Sequence, residues 1–210
     1  MLEPKQIEQI IKGLEVEYPR AWCTLTYARD YELLFATRLA AQCTDERVNK
    51  QTPALFAKYG TLQAIANADI TELEELIRPC GFYRAKARDI ILCANMLLSQ
   101  YDGKVPDTMD ELLKLPGVGR KTANLILGAW YGKPSIVVDT HCIRLSNRMG
   151  LVNNLKDPVK IETALRKILP PEKSTDFCHR LVHHGRAVCI ARKPKCKACC
   201  ISAFCGQFIE

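Results

Sequence analysis

Four cysteines, Cys189, Cys196, Cys199 and Cys205, stand in the pattern C-x6-C-x2-C-x5-C near the end of the chain. Four thiolates can close a site around zinc or around an iron–sulfur cluster, because both take soft sulfur ligands. Spacing alone does not choose between them. Cys200 is a fifth cysteine in the same window, beside the inner pair. The stretch between Cys189 and Cys196 holds Arg192, Lys193 and Lys195, so a bound metal centre would fix a basic loop in one shape. Such a loop suits phosphate contacts, which give affinity and orientation rather than sequence selectivity.

A second group of residues could do covalent chemistry. The run Leu115-Pro116-Gly117-Val118-Gly119-Arg120-Lys121 places a Pro-Gly-x-Gly turn before a helical segment. Glycines permit the tight turn and bring backbone amides to a helix start, where the dipole favours an anion. A plain inter-helix turn would have the same pattern. Lys121 lies in the first turn of that helix, and an uncharged lysine amine is the nucleophile that Schiff-base enzymes use, although most lysines so placed are merely solvated. Asp139, in Val138-Asp139-Thr140-His141, suits an N-cap for the helix that begins at Thr140. A carboxylate there could equally face positive charge developing on a sugar ring.

The elements that must position these groups are helical. Ile7, Ile10, Ile11 and Leu14 follow helical spacing behind Pro4, and further helices are predicted over about 30–42, 45–59, 70–77, 84–100, 108–114, 120–131, 140–149, 157–169 and 174–188. The best-patterned, 84–100, carries Ala87, Ile90, Ile91, Ala94, Leu97 and Leu98 on one side. The only β-branched run is Ile136-Val137-Val138, too short to found a sheet, so the class is all-α.

The composition excludes several classes. At 210 residues and 48% hydrophobic content the chain can bury a core, and no run approaches the roughly 18 apolar residues of a membrane span. The charged opening segment lacks the pattern of an export signal, which points to a soluble, intracellular protein. Eleven cysteines without such a signal argue for a reducing compartment rather than a disulfide framework. Cys23, Cys43, Cys80, Cys93, Cys142 and Cys178 are scattered among apolar or helical stretches and are assigned no chemistry. The net charge of +7 favours a polyanionic partner, and the six basic residues from Arg180 to Lys197, with no acidic one among them, read as a basic face.

Three features in this order resemble the endonuclease III family, helix-hairpin-helix DNA glycosylases that carry a [4Fe-4S] cluster. They are LPGVGRKTAN at 115–124, VDTH at 138–141 and the cysteine pattern at the end of the chain. LAAQCTD at 39–45, GFYRAKA at 81–87 and HGRAVCIARKPKC at 184–196 are similar to family segments too, so the resemblance covers nearly the whole chain. It implies a six-helix barrel domain at 22–134 carrying the hairpin. It also implies an iron–sulfur cluster domain made of 1–21 and 135–210, with DNA bound across the cleft. The implied activity is removal of oxidised pyrimidines such as thymine glycol from duplex DNA, followed by nicking of the abasic site. The implied setting is a cytoplasmic, nucleoid-associated monomer without membrane contact, whose partner is double-stranded DNA containing damaged bases or abasic sites.

By the same resemblance Lys121 is the nucleophile and Asp139 the charge-stabilising and proton-handling carboxylate. Cys189, Cys196, Cys199 and Cys205 would hold the cluster. Gln42 matches the residue that fills the gap left by a flipped base, His141 one lying near the DNA backbone, and Gly117 and Gly119 the hairpin amides that hold phosphate. Phe82 stands where the family often has a leucine wedge, and Cys43 replaces a common alanine. Two other readings compete. One is a monofunctional cluster-bearing adenine glycosylase, against which Lys121 argues, and for which Glu46 is not obviously placed as the acid. The other is a non-catalytic zinc-containing DNA-binding protein in which Asp139 is only a cap.

Overall fold

A computed structural model describes residues 2–207, and among these no strand occurs. The helices are α1 (Pro4–Glu17), α2 (Asp30–Leu39), α3 (Asp45–Lys58), α4 (Leu62–Ala66), α5 (Ile70–Ile77), α6 (Tyr83–Gln100), α7 (Met109–Leu112), α8 (Arg120–Ala129), α9 (Thr140–Met149), α10 (Pro158–Ile168) and α11 (Pro171–Ala187). Short 3-10 turns span Arg78–Cys80, Cys196–Ala198 and Ser202–Phe204. The all-helical class holds. The chain divides into two compact units, Thr24–Tyr131 and Met1–Cys23 with Gly132–Glu210. The outermost residues of the expected cluster domain, Met1 and 208–210, lie outside the described residues.

In the unit Thr24–Tyr131, α2 is the central helix. Tyr31, Leu33, Leu34, Phe35, Ala36 and Leu39 are all buried, so it packs on every side and meets α3, α6 and α8. Its two buried polar residues are satisfied close by. Glu32 accepts from the Ala28 amide at 2.7 Å, and the Thr37 hydroxyl donates to the Leu33 carbonyl at 2.7 Å. The helix stops at Leu39 rather than 42, because the chain turns at Ala41 and Gln42 takes a left-handed φ of 53°. Sequence reasoning missed α4, a five-residue helix capped by Thr61 and too short to show a period. On α6 the buried stripe runs through Lys86, Ala87, Ile90, Cys93, Ala94 and Leu97. The stripe is rotated from the expected one, since Ile91 and Leu98 are only half-buried and a lysine joins the core.

The other unit is built on α1, α9, α10 and α11. Helix α1 buries Ile7, Ile10, Ile11 and Leu14, as its spacing demands, and starts from a capping box between Glu3 and Gln6. It lies against α11, and α11 against α9. The α9–α11 approach is close because position 185 is glycine. A Cβ there would meet His141 Nδ1 at 2.5 Å, so any side chain would push the helices apart. Helix α11 runs Pro171–Ala187, three residues earlier at its start than expected, since Pro171 can occupy its first turn. Helix α8 ends at Ala129 and α7 covers only Met109–Leu112.

Candidate active site and cysteine-lined cavity

The hairpin lies in the unit Thr24–Tyr131. Gly117 takes φ +74°, a conformation that costs an L side chain roughly 1–2 kcal/mol. Space also requires glycine there, because a Cβ would sit 2.7 Å from Arg38 Nε and 2.9 Å from Asp89 Oδ2. Those atoms belong to a largely buried ion pair between α2 and α6, in which Arg38 Nε and Nη2 donate to Asp89 Oδ2 at 3.0 and 2.7 Å. The hairpin therefore rests on a charged strut that its sequence does not announce. Gly119 is different, since it has an ordinary negative φ and open space around a would-be Cβ. It is the N-cap of α8, which has no side-chain cap, so the start of the helix suits an anion. Lys121 sits in the first turn of α8 and is exposed.

Two further loops of this unit carry sequence-identified residues. Gln42 is exposed in the turn after α2, and Phe82, 66% exposed, is the N-cap of α6 with φ +49°. Both are non-glycine residues held in left-handed conformations. Such strain is uncommon and concentrates where a side chain must be aimed. Beside Phe82, the Tyr83 ring lies under the guanidinium groups of Arg78 and Arg84 at 5.8 and 5.5 Å. Lys86 fixes both loops from below. It is fully buried, and its Nζ donates to the Leu39 carbonyl at 2.8 Å and to the Cys80 carbonyl at 2.9 Å. Burial lowers its pKa.

In the other unit Asp139 is the N-cap of α9, its Oδ1 accepting from the Cys142 amide at 2.7 Å. The cap seen in the sequence is therefore present. His141, the second residue of α9, is half-buried with Nδ1 3.2 Å from Arg144 Nη2.

Cys189, Cys196, Cys199 and Cys205 all line one cavity, about 440 Å³ of space free of atoms and partly open to solvent, together with Met149, Val188 and Ile201. Cys200 does not line it. Among the described residues no three His, Cys, Asp or Glu side chains meet closely enough to hold a single ion. Two nitrogens flank the thiols: Arg148 Nη1 donates to Cys189 Sγ at 3.5 Å, and His184 Nε2 lies 3.4 Å from Cys199 Sγ. His184 is buried, which lowers its pKa to about 4, and its Nδ1 faces the Tyr18 hydroxyl at 3.1 Å. Burial also raises the Cys199 and Cys205 thiols.

The loop that follows Cys189 is held by α9. Arg148 donates to the Ile190 and Ala191 carbonyls at 2.8 Å each, and Arg144 to the Gly185 and Cys189 carbonyls at 3.1 and 3.0 Å. Neither arginine was singled out from sequence, although their i, i+4 spacing places both on one face of α9. Arg192 and Lys193 are exposed and Lys193 is left-handed, whereas Lys195 spends its ammonium on the Ala187 carbonyl at 3.1 Å. The expected basic face is also shortened at its start. Arg180 is buried, donating to the Tyr18 carbonyl and lying near Glu15 and Asp176.

Residues 35–171 match the model of the HhH-GPD superfamily base excision DNA repair proteins. Endonuclease III of Synechocystis sp. (strain PCC 6803) is 47% identical over 94% of this chain and 90% of its own length. The chain belongs to the endonuclease III family. The Bacillus subtilis endonuclease III is 39% identical over 99% of this chain and 94% of its own length. The fold is that of the endonuclease III family as well. The protein chain of a solved non-covalent endonuclease III–DNA complex superposes with a TM-score of 0.93 at 42% identity, covering 99% of this chain and 97% of that one.

Proposed function

We propose that this base excision repair glycosylase is bifunctional, removing oxidised pyrimidines such as thymine glycol from duplex DNA and then nicking the abasic strand. The observation that carries the reading is Lys121, an exposed primary amine in the first turn of an uncapped helix behind a glycine hairpin. The relatives' complexes with DNA support DNA as partner. With the damaged nucleotide flipped out of the stack, the Lys121 amine attacks the sugar C1′ and the C1′–N bond to the base breaks. The sugar ring then opens to an imine. This acidifies the C2′ proton, whose removal expels the 3′ phosphate by β-elimination. Asp139 stabilises positive charge on the sugar and assists the proton transfers, a role its short side chain can combine with capping α9.

Gln42 and Phe82 act at the base stack, Gln42 in the gap left by the flipped base and Phe82 as a wedge on the opposite strand. Gly117 and Gly119 hold a backbone phosphate through the hairpin amides, and His141 lies near the backbone at the lesion. The unit Thr24–Tyr131 serves as the six-helix barrel domain and the other as the cluster domain.

Cys189, Cys196, Cys199 and Cys205 fit a [4Fe-4S] cluster. They are four thiols around one cavity that suits a multi-atom group, with Arg148 Nη1 and His184 Nε2 directed at two of the sulfurs. Neutral His184 serves both partners when Nε2 carries the proton and Nδ1 accepts from Tyr18. Such a cluster supplies no step of the reaction. Its ligands shape the loop that presents Arg192 and Lys193 to DNA phosphates.

The test is borohydride trapping on duplex DNA containing thymine glycol or an abasic site. A covalent adduct forms with the natural protein and is lost in Lys121→Ala. An undiminished adduct in that variant would remove Lys121 from the reaction.

A further inference from the structure

The two strained loops meet at a pair of thiols that the proposed reaction does not use. Cys43 follows Gln42 directly, and Cys80 precedes Gly81-Phe82. Although 37 residues separate them in sequence, their side chains lie beside one another and both face Lys86, where α3 packs on the Arg78–Cys80 turn. Cys43 is half-buried and reachable from solvent, whereas Cys80 is only 1% exposed. Lys86 lies beneath both, tying the carbonyl that ends α2 to the Cys80 carbonyl, so the backbone on each side of the thiol pair is held in place. Arg47 and Arg38 are the other charged groups nearby, the first facing Cys80 and the second facing Lys86.

We propose that Cys43 and Cys80 are a site of oxidative modification, closed by peroxide into an intrachain disulfide that staples the Gln42 loop to the Phe82 loop. Cys43, as thiolate, attacks one peroxide oxygen. The O–O bond breaks, leaving a sulfenic acid on Cys43 and hydroxide, which takes up the Cys43 proton as water. The Cys80 sulfur then attacks the Cys43 sulfur. The S–O bond breaks, and the departing oxygen leaves as water with the Cys80 proton. Two thiols lose two electrons in all, and one peroxide is reduced to two waters. Burial raises the Cys80 thiol to about 11, which keeps it protonated until a partner is activated and makes half-exposed Cys43 the first to react.

Closing a thiol contact into a covalent bond draws the two segments together by roughly an ångström or more. Its effect on DNA rests on the placement of Gln42 and Phe82 at the base stack, while formation of the bond does not.

The experiment treats the iron-loaded protein with low hydrogen peroxide, keeping only samples whose cluster absorbance is unchanged. Alkylation, digestion and mass spectrometry follow. The expected result is a Cys43–Cys80 cross-linked peptide about 2 Da lighter than the two free peptides, reversed by dithiothreitol and absent in Cys43→Ala and Cys43→Ser. Overturning results are two separately alkylated thiols after treatment, or Cys43 carried on to sulfinic acid without a cross-link to Cys80. A second readout is affinity for a duplex with an abasic-site analogue, expected to fall about fivefold on oxidation, to return with dithiothreitol, and not to change in Cys43→Ala. A cross-link that forms with no change in affinity upholds the oxidation site and counts instead against placing Gln42 and Phe82 at the stack.

Discussion

The Gly117 turn permits a quantitative comparison, because two glycines two residues apart face opposite constraints. Gly117→Ala must adopt φ +74°, at roughly 1–2 kcal/mol for a residue with a Cβ. Its Cβ must also displace Arg38 Nε or Asp89 Oδ2, which stand 2.7 and 2.9 Å away. Disturbing a partly buried, charge-assisted pair of hydrogen bonds costs about 1–3 kcal/mol more. The lower entropy of the unfolded alanine chain returns about 0.4–1 kcal/mol. The expected loss is therefore about 3 kcal/mol, within a range of about 1–5 kcal/mol.

Gly119→Ala meets no atom and needs no positive φ, so it should change stability by no more than about 1 kcal/mol, chiefly through its N-cap position. The assay is urea unfolding followed by fluorescence in a Trp22→Phe background. That background leaves Trp130, in the same unit as the hairpin, as the sole tryptophan. At a typical slope of about 1–3 kcal/mol per molar, the Gly117→Ala midpoint should fall by about 1 M or more. Equal midpoints for the two variants would refute the claim that the hairpin rests on the Arg38–Asp89 pair.

Other outcomes follow from the same geometry. Asp139→Asn should keep α9 capped, because asparagine caps as well as aspartate, leaving stability within about 0.5 kcal/mol while base excision falls at least about a hundredfold. Excision at the natural rate would return Asp139 to a purely structural role. His179 in α11 has its pKa lowered below 6.5 by burial, so it folds neutral while the unfolded chain gains a proton first. Its contribution is complete above pH 6.5 and is lost as pH falls through the lowered value; in denaturation series across that range, His179→Gln should show a shallower fall. Stripping iron by chelation should lower the slope of log affinity for duplex DNA against log salt by about 2, for Arg192 and Lys193, rather than about 3, because Lys195 already serves the Ala187 carbonyl. A slope unchanged by chelation would separate the cysteine cavity from DNA binding.

Much of this was legible because the chemistry is concentrated in short runs. Clustered cysteines, a Pro-Gly-x-Gly turn and an aspartate before a helix each have few physical readings, and the spacing of Ile7, Ile10, Ile11 and Leu14 gave α1 its buried face directly. What escaped the sequence was support between segments distant in the chain. Lys86 is not distinguished by its local sequence, since nothing nearby in the chain shows that two carbonyls 47 and 6 positions away will receive its ammonium. Arg38 and Asp89 are separated by 51 residues, and Arg148 reaches carbonyls 42 and 43 residues later. Cys43 and Cys80 were set aside for the same reason. Arg180 misled in the opposite direction, because charge counted along a line says nothing about which side of α11 is covered.

Helix α9 begins at the Asp139 cap and carries, one and two turns later, the arginines that grip the loop after Cys189. Ten residues at 1.5 Å each make a rod of about 15 Å, too short to bend appreciably. The rod acts as a gauge block, setting the distance from the carboxylate to the cysteine loop by its residue count. Side chains along it can be exchanged, but inserting or deleting a single residue would turn the arginines about 100° away from the loop while leaving the cap in place. The loop's composition can thus vary with little effect on Asp139, while the length of α9 cannot.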